Sequence, residues 1–275
     1  MSVEALWRAR ATAFLRWLRG PRPYLLLAGF AIFLAAWHLA TSVLDIATLR
    51  RITPPAVVLK EWFNRDPFFG VSVYTPLYYS HIGYSVYRAY TAFGLAVLLG
   101  VPLGMLIGWN RTFREFTFPL VETLRPIPPL SWVPLAILML PGTEPPVIFV
   151  TFIAAFFATV LNTLLGVQSI DRSYFRAAQC LGFSRREILL HVVIPGAMPH
   201  VFTGLQIAMG LSWVALVAGE MIAGKRGLGY MIYDAYSMVQ IPTIIMGMLT
   251  LGLLGFLSSA LVRSLGRKLM AWRSY

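Results

Sequence analysis

Apolar residues fill most of this chain in blocks of about the length that a bilayer demands, roughly 20 residues of helix. Short polar and basic stretches separate them. The blocks fall near Tyr24–Leu44, Ser85–Trp109, Phe118–Leu140, Pro146–Val167, Met198–Ile222 and Ile241–Val262. They predict an all-α fold, a polytopic membrane bundle of about six transmembrane helices. The first block is longer than the apolar region of a cleaved signal and runs out through Trp37 and His38, so it predicts an uncleaved span. Between Asp45 and Tyr84 the chain is neither long nor apolar enough to cross twice. There Pro54-Pro55 followed by AVVLKEWF predicts a short amphipathic helix on the outer face. Phe68, Phe69, Tyr74, Tyr78, Tyr79 and Tyr84 suit the bilayer interface.

Composition sharpens the class. Of 275 residues 58% are hydrophobic and only 12% are charged, against about a quarter charged in a soluble domain. The net charge of +12 comes from short basic clusters between apolar blocks, which fits loops facing anionic lipid rather than a nucleic-acid partner. With the N-terminus inside, the inside segments hold Arg8, Arg10, Arg16, Arg19, Arg22, Arg111, Arg114, Arg172, Arg176, Arg185, Arg186, Arg263, Arg267, Lys268 and Arg273. The outside segments hold only Arg50, Arg51, Lys60, Arg65, Lys225 and Arg226, while Arg88 and Arg125 lie within spans. That bias predicts both termini in the cytoplasm. It divides the chain into an N-terminal cytoplasmic segment 1–23, a first span with its outer-face segment 24–84, a core domain 85–265, and a cytoplasmic tail 266–275. The lone Cys180 excludes an internal disulfide, and no Cys/His cluster has the spacing of a metal site.

One polar interruption stands apart. Asp171 to Pro195 reads DRSYFRAAQCLGFSRREILLHVVIP, rich in arginine and divided at Gly182 into two short helical pieces. Ser184 to Glu187 forms the S-x-x-E of a capping box, which starts the second piece just after the glycine. On the charge partition this helix-Gly-helix element is cytoplasmic, and it is built to touch something outside the membrane.

Chemistry inside the spans is sparse. There is no H-E-x-x-H, no G-x-S-x-G and no carboxylate pair within one span. Gly219 to Lys225 satisfies G-x-x-x-x-G-K, yet Arg226 stands where a magnesium-binding Ser or Thr belongs and no strand precedes it. Gly100, Gly104 and Gly108 align on one helix face and predict close packing, within the chain rather than at a dedicated subunit interface. In the third block Glu122, Arg125, Pro126, Pro128, Pro129, Trp132 and Pro134 interrupt the helix. A bilayer tolerates that where protein or a watery cavity satisfies the freed backbone. Arg125 either faces a pathway or is neutralised by Glu122, three residues away on the same face. Trp132 and Trp213 either line a cavity or pack, and Asn162 bonds across helices or meets a solute. Glu220 belongs to an outer gate or pairs with Lys225 or Arg226. His191 and His200 bracket Pro195 as contact residues.

Phe175 to Gly182 with the residues through Pro195 resembles the EAA loop of bacterial ABC importer permeases. Ala177, Ala178, Gly182 and Pro195 fall on that pattern, Val192 and Ile194 are apolar equivalents, and Arg176 replaces its usual glutamate. From about Ile52 onward, PLVETLRPIPPLSWVPLAIL, LNTLLGVQSID, PGAMPHVFTGLQIAMGLSWVALVAGEM and RGLGYMIYDAY are similar to the nitrate, sulfonate, taurine and bicarbonate importer branch, taurine and alkanesulfonate permeases above all. Ala158 stands where many members carry proline.

The resemblance implies a multi-pass permease of the bacterial inner membrane that is a transport subunit, not an enzyme. It implies a homodimer with two ABC ATPase subunits and an extracytoplasmic binding protein, with no cofactor in this chain because ATP and magnesium sit on the ATPases. The coupling residues it implies are Tyr174, Phe175, Arg176, Ala177, Ala178, Gly182, Phe183, Ser184 and Arg185. Arg125, Pro128, Trp132, Asn162, Trp213 and Glu220 are the translocation-path candidates. The competing readings are a permease for another organic acid or a neutral solute, and a polytopic membrane enzyme or channel. An enzyme needs convergent acid, base or metal groups, and a channel needs no docking loop.

Overall fold

Proline sets most of the helix starts. Its fixed φ suits the first turn, where its missing N–H leaves nothing unpaired. In a computed structural model that describes residues 20–43 and 52–270, proline occupies the first turn of α1 (Pro21–His38), α2 (Pro55–Trp62), α3 (Pro76–Trp109), α5 (Val133–Met139), α6 (Glu144–Gln168) and α10 (Ile241–Leu269). The remaining helices are α4 (Arg111–Leu124), α7 (Arg172–Cys180), α8 (Arg185–Ala223) and α9 (Leu228–Ser237). The described residues contain no strand. Arg8, Arg10, Arg16, Arg19, Arg50, Arg51 and Arg273 of the charge partition lie outside them, as does most of segment 1–23 and the end of segment 266–275.

Among the described residues four helices are long and apolar enough to cross a membrane: α3, α6, α8 and α10, with shorter apolar helices at Leu27–Ser42 and Pro129–Met139. Three boundaries differ from the sequence expectation. The second span starts at Pro76, ahead of Ser85, because His81 and Ser85 lie on the helix and bond to the turn before α9. The third block is not one helix. Its α4 stops at Leu124, and a 3-10 turn at Pro129–Trp132 leads into the short α5. The second piece of the polar element does not end at Pro195. A π turn at Leu189–Val193 lets it run on into Ile194–Ala223, so α8 is one helix of 39 residues. A proline in a helix clashes with the carbonyl four residues earlier, here that of His191, and the widened π turn falls at that place.

The core is the contact of α6 with α3 and with α8, which also touch each other. Gly100, Gly104 and Gly108 of α3 face Thr159, Thr163 and Val167 of α6, so the glycine stripe is taken up within the chain. On a neighbouring face of α6, Gly204 of α8 sits against Asn162, and Gly166 of α6 sits against Ala197 and His200 of α8. Helix α10 packs on α8, α9 and α2. Helix α1 is exposed along most of its length and meets the bundle at its C-terminal end, where Phe33 and Trp37 share an apolar cavity with Ile245, Met248 and Leu249.

A methyl group on Gly104 would stand 2.5 Å from the Val160 carbonyl oxygen and 2.7 Å from Thr163 Cβ. Gly104→Ala therefore forces α3 and α6 apart, at a cost of about 1–3 kcal/mol. The expected result is a lower thermal unfolding midpoint in detergent. Gly94→Ala, with nothing within 4 Å of the added methyl, leaves the midpoint unchanged or raises it. Equal behaviour of the two variants would contradict this packing.

Candidate functional site: a docking element and a buried charge cluster

The Asp171–Ser184 element takes its shape from local chemistry. The Asp171 side chain caps α7 by accepting the Ser173 N–H at 2.7 Å, and this bond holds its carboxyl below the ordinary aspartate range. At the other end of α7 the Gly182 N–H donates to Gln179 O and the Phe183 N–H to Ala178 O, the paired bonds of a Schellman stop. Gly182 takes φ +79°, a left-handed conformation that suits glycine, and open space surrounds it. Ser184 then starts α8 through a complete capping box: its hydroxyl accepts the Glu187 N–H, and the Glu187 carboxylate accepts the Ser184 N–H at 2.7 Å.

Two faces result. Phe175 stacks on Trp109 at the end of α3, and Ala178 is buried against the chain's own bundle. Tyr174, Arg176, Ala177, Phe183, Ser184 and Arg185 are exposed, as are Arg186 and Leu181, the last at 75%. The alanine pair thus divides its roles, with Ala178 packing inward and Ala177 open to a partner. Beside them a cavity of about 560 Å³ opens between Asp171 and Tyr174 on one side and His191 and Pro195 on the other. His191 bonds through Nδ1 to the Glu187 carbonyl at 3.0 Å, and His200 is exposed.

The path candidates do not converge on one place. Arg125, 49% exposed, lies 3.5 Å from Glu122 and lines an open groove of about 280 Å³ with Ile127, Pro129, Phe157, Ala158 and Leu211. Pro128 is exposed just outside it. Trp132 packs edge-on against Phe149, and Trp213 is buried in the core; neither indole N–H has a partner among the described residues. Asn162 donates to the Ala158 carbonyl of its own helix at 2.8 Å rather than across helices.

Glu220 is fully buried and pairs with neither Lys225 nor Arg226. Its carboxylate accepts Arg88 Nη1 at 2.8 Å, the Ser85 hydroxyl at 2.8 Å and the Gly229 N–H at 2.8 Å. Arg88, also without exposure, reaches Glu144 at the start of α6 with two parallel bonds of 2.6 and 2.7 Å, and donates to the Arg226 carbonyl at 2.6 Å. His81 Nδ1 accepts the Gly227 N–H at 3.1 Å and Ser85 Oγ accepts the Leu228 N–H at 2.8 Å. A side chain at Gly227, whose φ is +121°, would run into the Glu220 carboxyl. The Gly224–Gly229 turn that mimics a phosphate loop is thus a cradle for this carboxylate. Removing one member of a buried pair costs about 3–5 kcal/mol, because the other is left charged and unpaired. The sequence shows Arg88 in a span but no partner for it. The available signal was His81, Ser85 and Arg88 at helical spacing on one face of an apolar helix.

The comparisons with known proteins agree with this geometry. Residues 100–271 match the family described as "Binding-protein-dependent transport system inner membrane component". A nitrate import permease protein of Leptolyngbya laminosa is 36% identical over 85% of this chain and 82% of its own length. A taurine transport system permease protein of Escherichia coli K12 is 33% identical over 94% and 92%. A bicarbonate transport system permease protein of Synechococcus elongatus is 35% identical over 88% and 87%. Among solved structures, the inward-facing methionine ABC transporter aligns with a TM-score of 0.62 at 16% identity over 70% of this chain and 95% of that one. A bacterial ABC transporter that imports alginate aligns at 0.55 and 12% over 92% and 99%. Fold, motif and kinship converge: this chain belongs to the binding-protein-dependent transport system inner membrane component family and is a multi-pass permease subunit of an ABC importer.

Proposed function

We propose that two copies of this chain form the translocation path of an importer for a small oxyanion, taurine or an alkanesulfonate foremost and nitrate or bicarbonate next. The observation that carries the mechanism is the element Asp171–Ser184, whose capped and glycine-stopped geometry presents Tyr174, Arg176, Ala177, Leu181, Phe183 and Arg185 away from the bundle. Such a surface suits the groove of an ABC ATPase, one per permease copy, and ATP with magnesium belongs there. Closure of the ATPase pair draws the two elements together, and the attached helices rock between inward-open and outward-open states. A binding protein delivers the solute at the α9 end, and membrane lipid covers the exposed apolar faces.

For the solute, the names of the relatives and one cation argue together. The relatives take nitrate, taurine and bicarbonate by name. Arg125 is the charged residue on its groove, in a wall that is otherwise apolar. An anion in a low-dielectric path needs a positive group of this kind, and the face of the groove is free for the second copy. The excess of basic residues in the segments assigned to the inside supports both termini and the Asp171–Ser184 element in the cytoplasm. The core permease domain runs over 85–265.

Three outcomes follow. In a Cys180→Ser background, an impermeant thiol reagent applied to intact cells labels Lys225→Cys and not Ser184→Cys; the reverse pattern overturns the orientation. Gly182→Asp and Ala177→Glu leave the permease in the membrane but weaken ATPase association, lowering stimulated ATP hydrolysis and uptake by about tenfold, the effect of roughly 1.4 kcal/mol at the docking surface. Native stoichiometry and native stimulated activity in both variants would exclude the docking role. In cells lacking their own sulfonate importers, the complex takes up an anionic or zwitterionic oxyanion such as taurine, and uptake confined to a cation or a neutral solute would refute the solute class.

A further inference from the structure

The buried cluster around Arg88 sits at the far end of the same helix that begins in the docking element. Helix α8 runs unbroken from the Ser184 capping box to Ala223, 39 residues, or about 58 Å at 1.5 Å per residue. Near its last turn, Glu220 is held by Arg88 and Ser85 of α3 and by the Gly229 N–H at the start of α9. Arg88 also grips Glu144 in the first turn of α6 and the carbonyl of Arg226. One guanidinium therefore ties together α3, α6, α8 and the turn into α9.

Apolar helix faces slide past one another in shear motions. A forked guanidinium with its bonds fixed in direction resists such sliding. The two carboxylates are unequal. Glu220 has no exposure, whereas the Glu144 side chain is 35% exposed and stands at a helix N-terminus that favours its charge. The cluster has little spare capacity for a bound anion, because Arg88 already spends its donors on two carboxylates and a carbonyl.

We infer that Arg88, with Glu220 and Glu144, is the positioning residue that makes α3 and α6 follow α8 when the docking element moves. This rests on the importer reading above. Without the clasp, a pull on α8 at the ATPase is dissipated by slip between helices and does not reach the outer ends of α3 and α6.

The test uses the complete complex with its ATPase subunits in lipid nanodiscs, with ATP and vanadate as the only additions. Spin labels on Leu190→Cys, near the docking end of α8, and separately on Tyr87→Cys, on the exposed face of α3 beside Arg88, report the distance between the two copies in a Cys180→Ser background. In the native complex both distances shift on ATP and vanadate. In Arg88→Met the Leu190 shift is kept and the Tyr87 shift is lost. Glu144→Gln, isosteric and half-exposed, gives the same split if Arg88→Met fails to assemble, and Glu144→Asp, which keeps the charge, restores the Tyr87 shift. A purely structural role would instead reduce both shifts or the yield of complex. A native Tyr87 shift in Glu144→Gln, or in assembled Arg88→Met, overturns the inference. A native complex in which neither label responds to ATP would sink the importer reading itself.

Discussion

A charge inside a membrane protein has to be neutralised where it stands, and the Arg88 guanidinium, without solvent exposure, imposes that requirement on three helices and a turn at once. Its partners come from α6, α8 and the turn that follows α8. Glu220 in turn demands the glycines at 227 and 229, since a side chain at either place would collide with it or with its helix. Helix α3 supplies His81 and Ser85 on the same face to take the N–H groups that this tight turn leaves over. The result is a polar knot in an otherwise apolar end of the bundle, in which the donors and acceptors satisfy one another.

Toward the other end the helices are joined by small residues rather than charges. Glycines of α3 let α6 approach to backbone contact, and Gly204 and Gly166 do the same between α6 and α8. Close-packed surfaces of this kind hold helices near one another but allow them to shear. The directional bonds at the α9 end and the slippery contacts toward the α7 end suit the proposed transmission of movement along α8. The docking element is rigid for its size because a side-chain cap, a Schellman stop and a capping box follow one another within Asp171–Glu187.

What was legible in the sequence was what is local. The capping box at Ser184, the helix break at Gly182, the amphipathic helix after Pro54 and the glycine stripe on α3 each rest on residues a few positions apart, and each appears in the structure. The resemblance places Ala178 among the coupling residues, but it is core, because only the packed bundle determines which side of α7 is covered. The sequence marks Pro195 as the end of the polar element, while the π turn before it lets the helix continue. The clasp stayed hidden because its members lie 132 and 56 residues apart along the chain. For Glu220 the sequence offers an outer gate or a near partner, Lys225 or Arg226, and tertiary packing supplies a distant partner instead.

The central claim is that Asp171–Ser184 is the place where an ATPase subunit grips this permease. A photo-reactive amino acid in place of Leu181, the exposed apolar residue at the tip of the element, tests it in intact cells at native expression. The predicted result is a single major crosslinked product containing the permease and one ABC ATPase subunit, abolished by Gly182→Asp. Crosslinks to lipid or to other proteins, with none to an ATPase, would contradict the account.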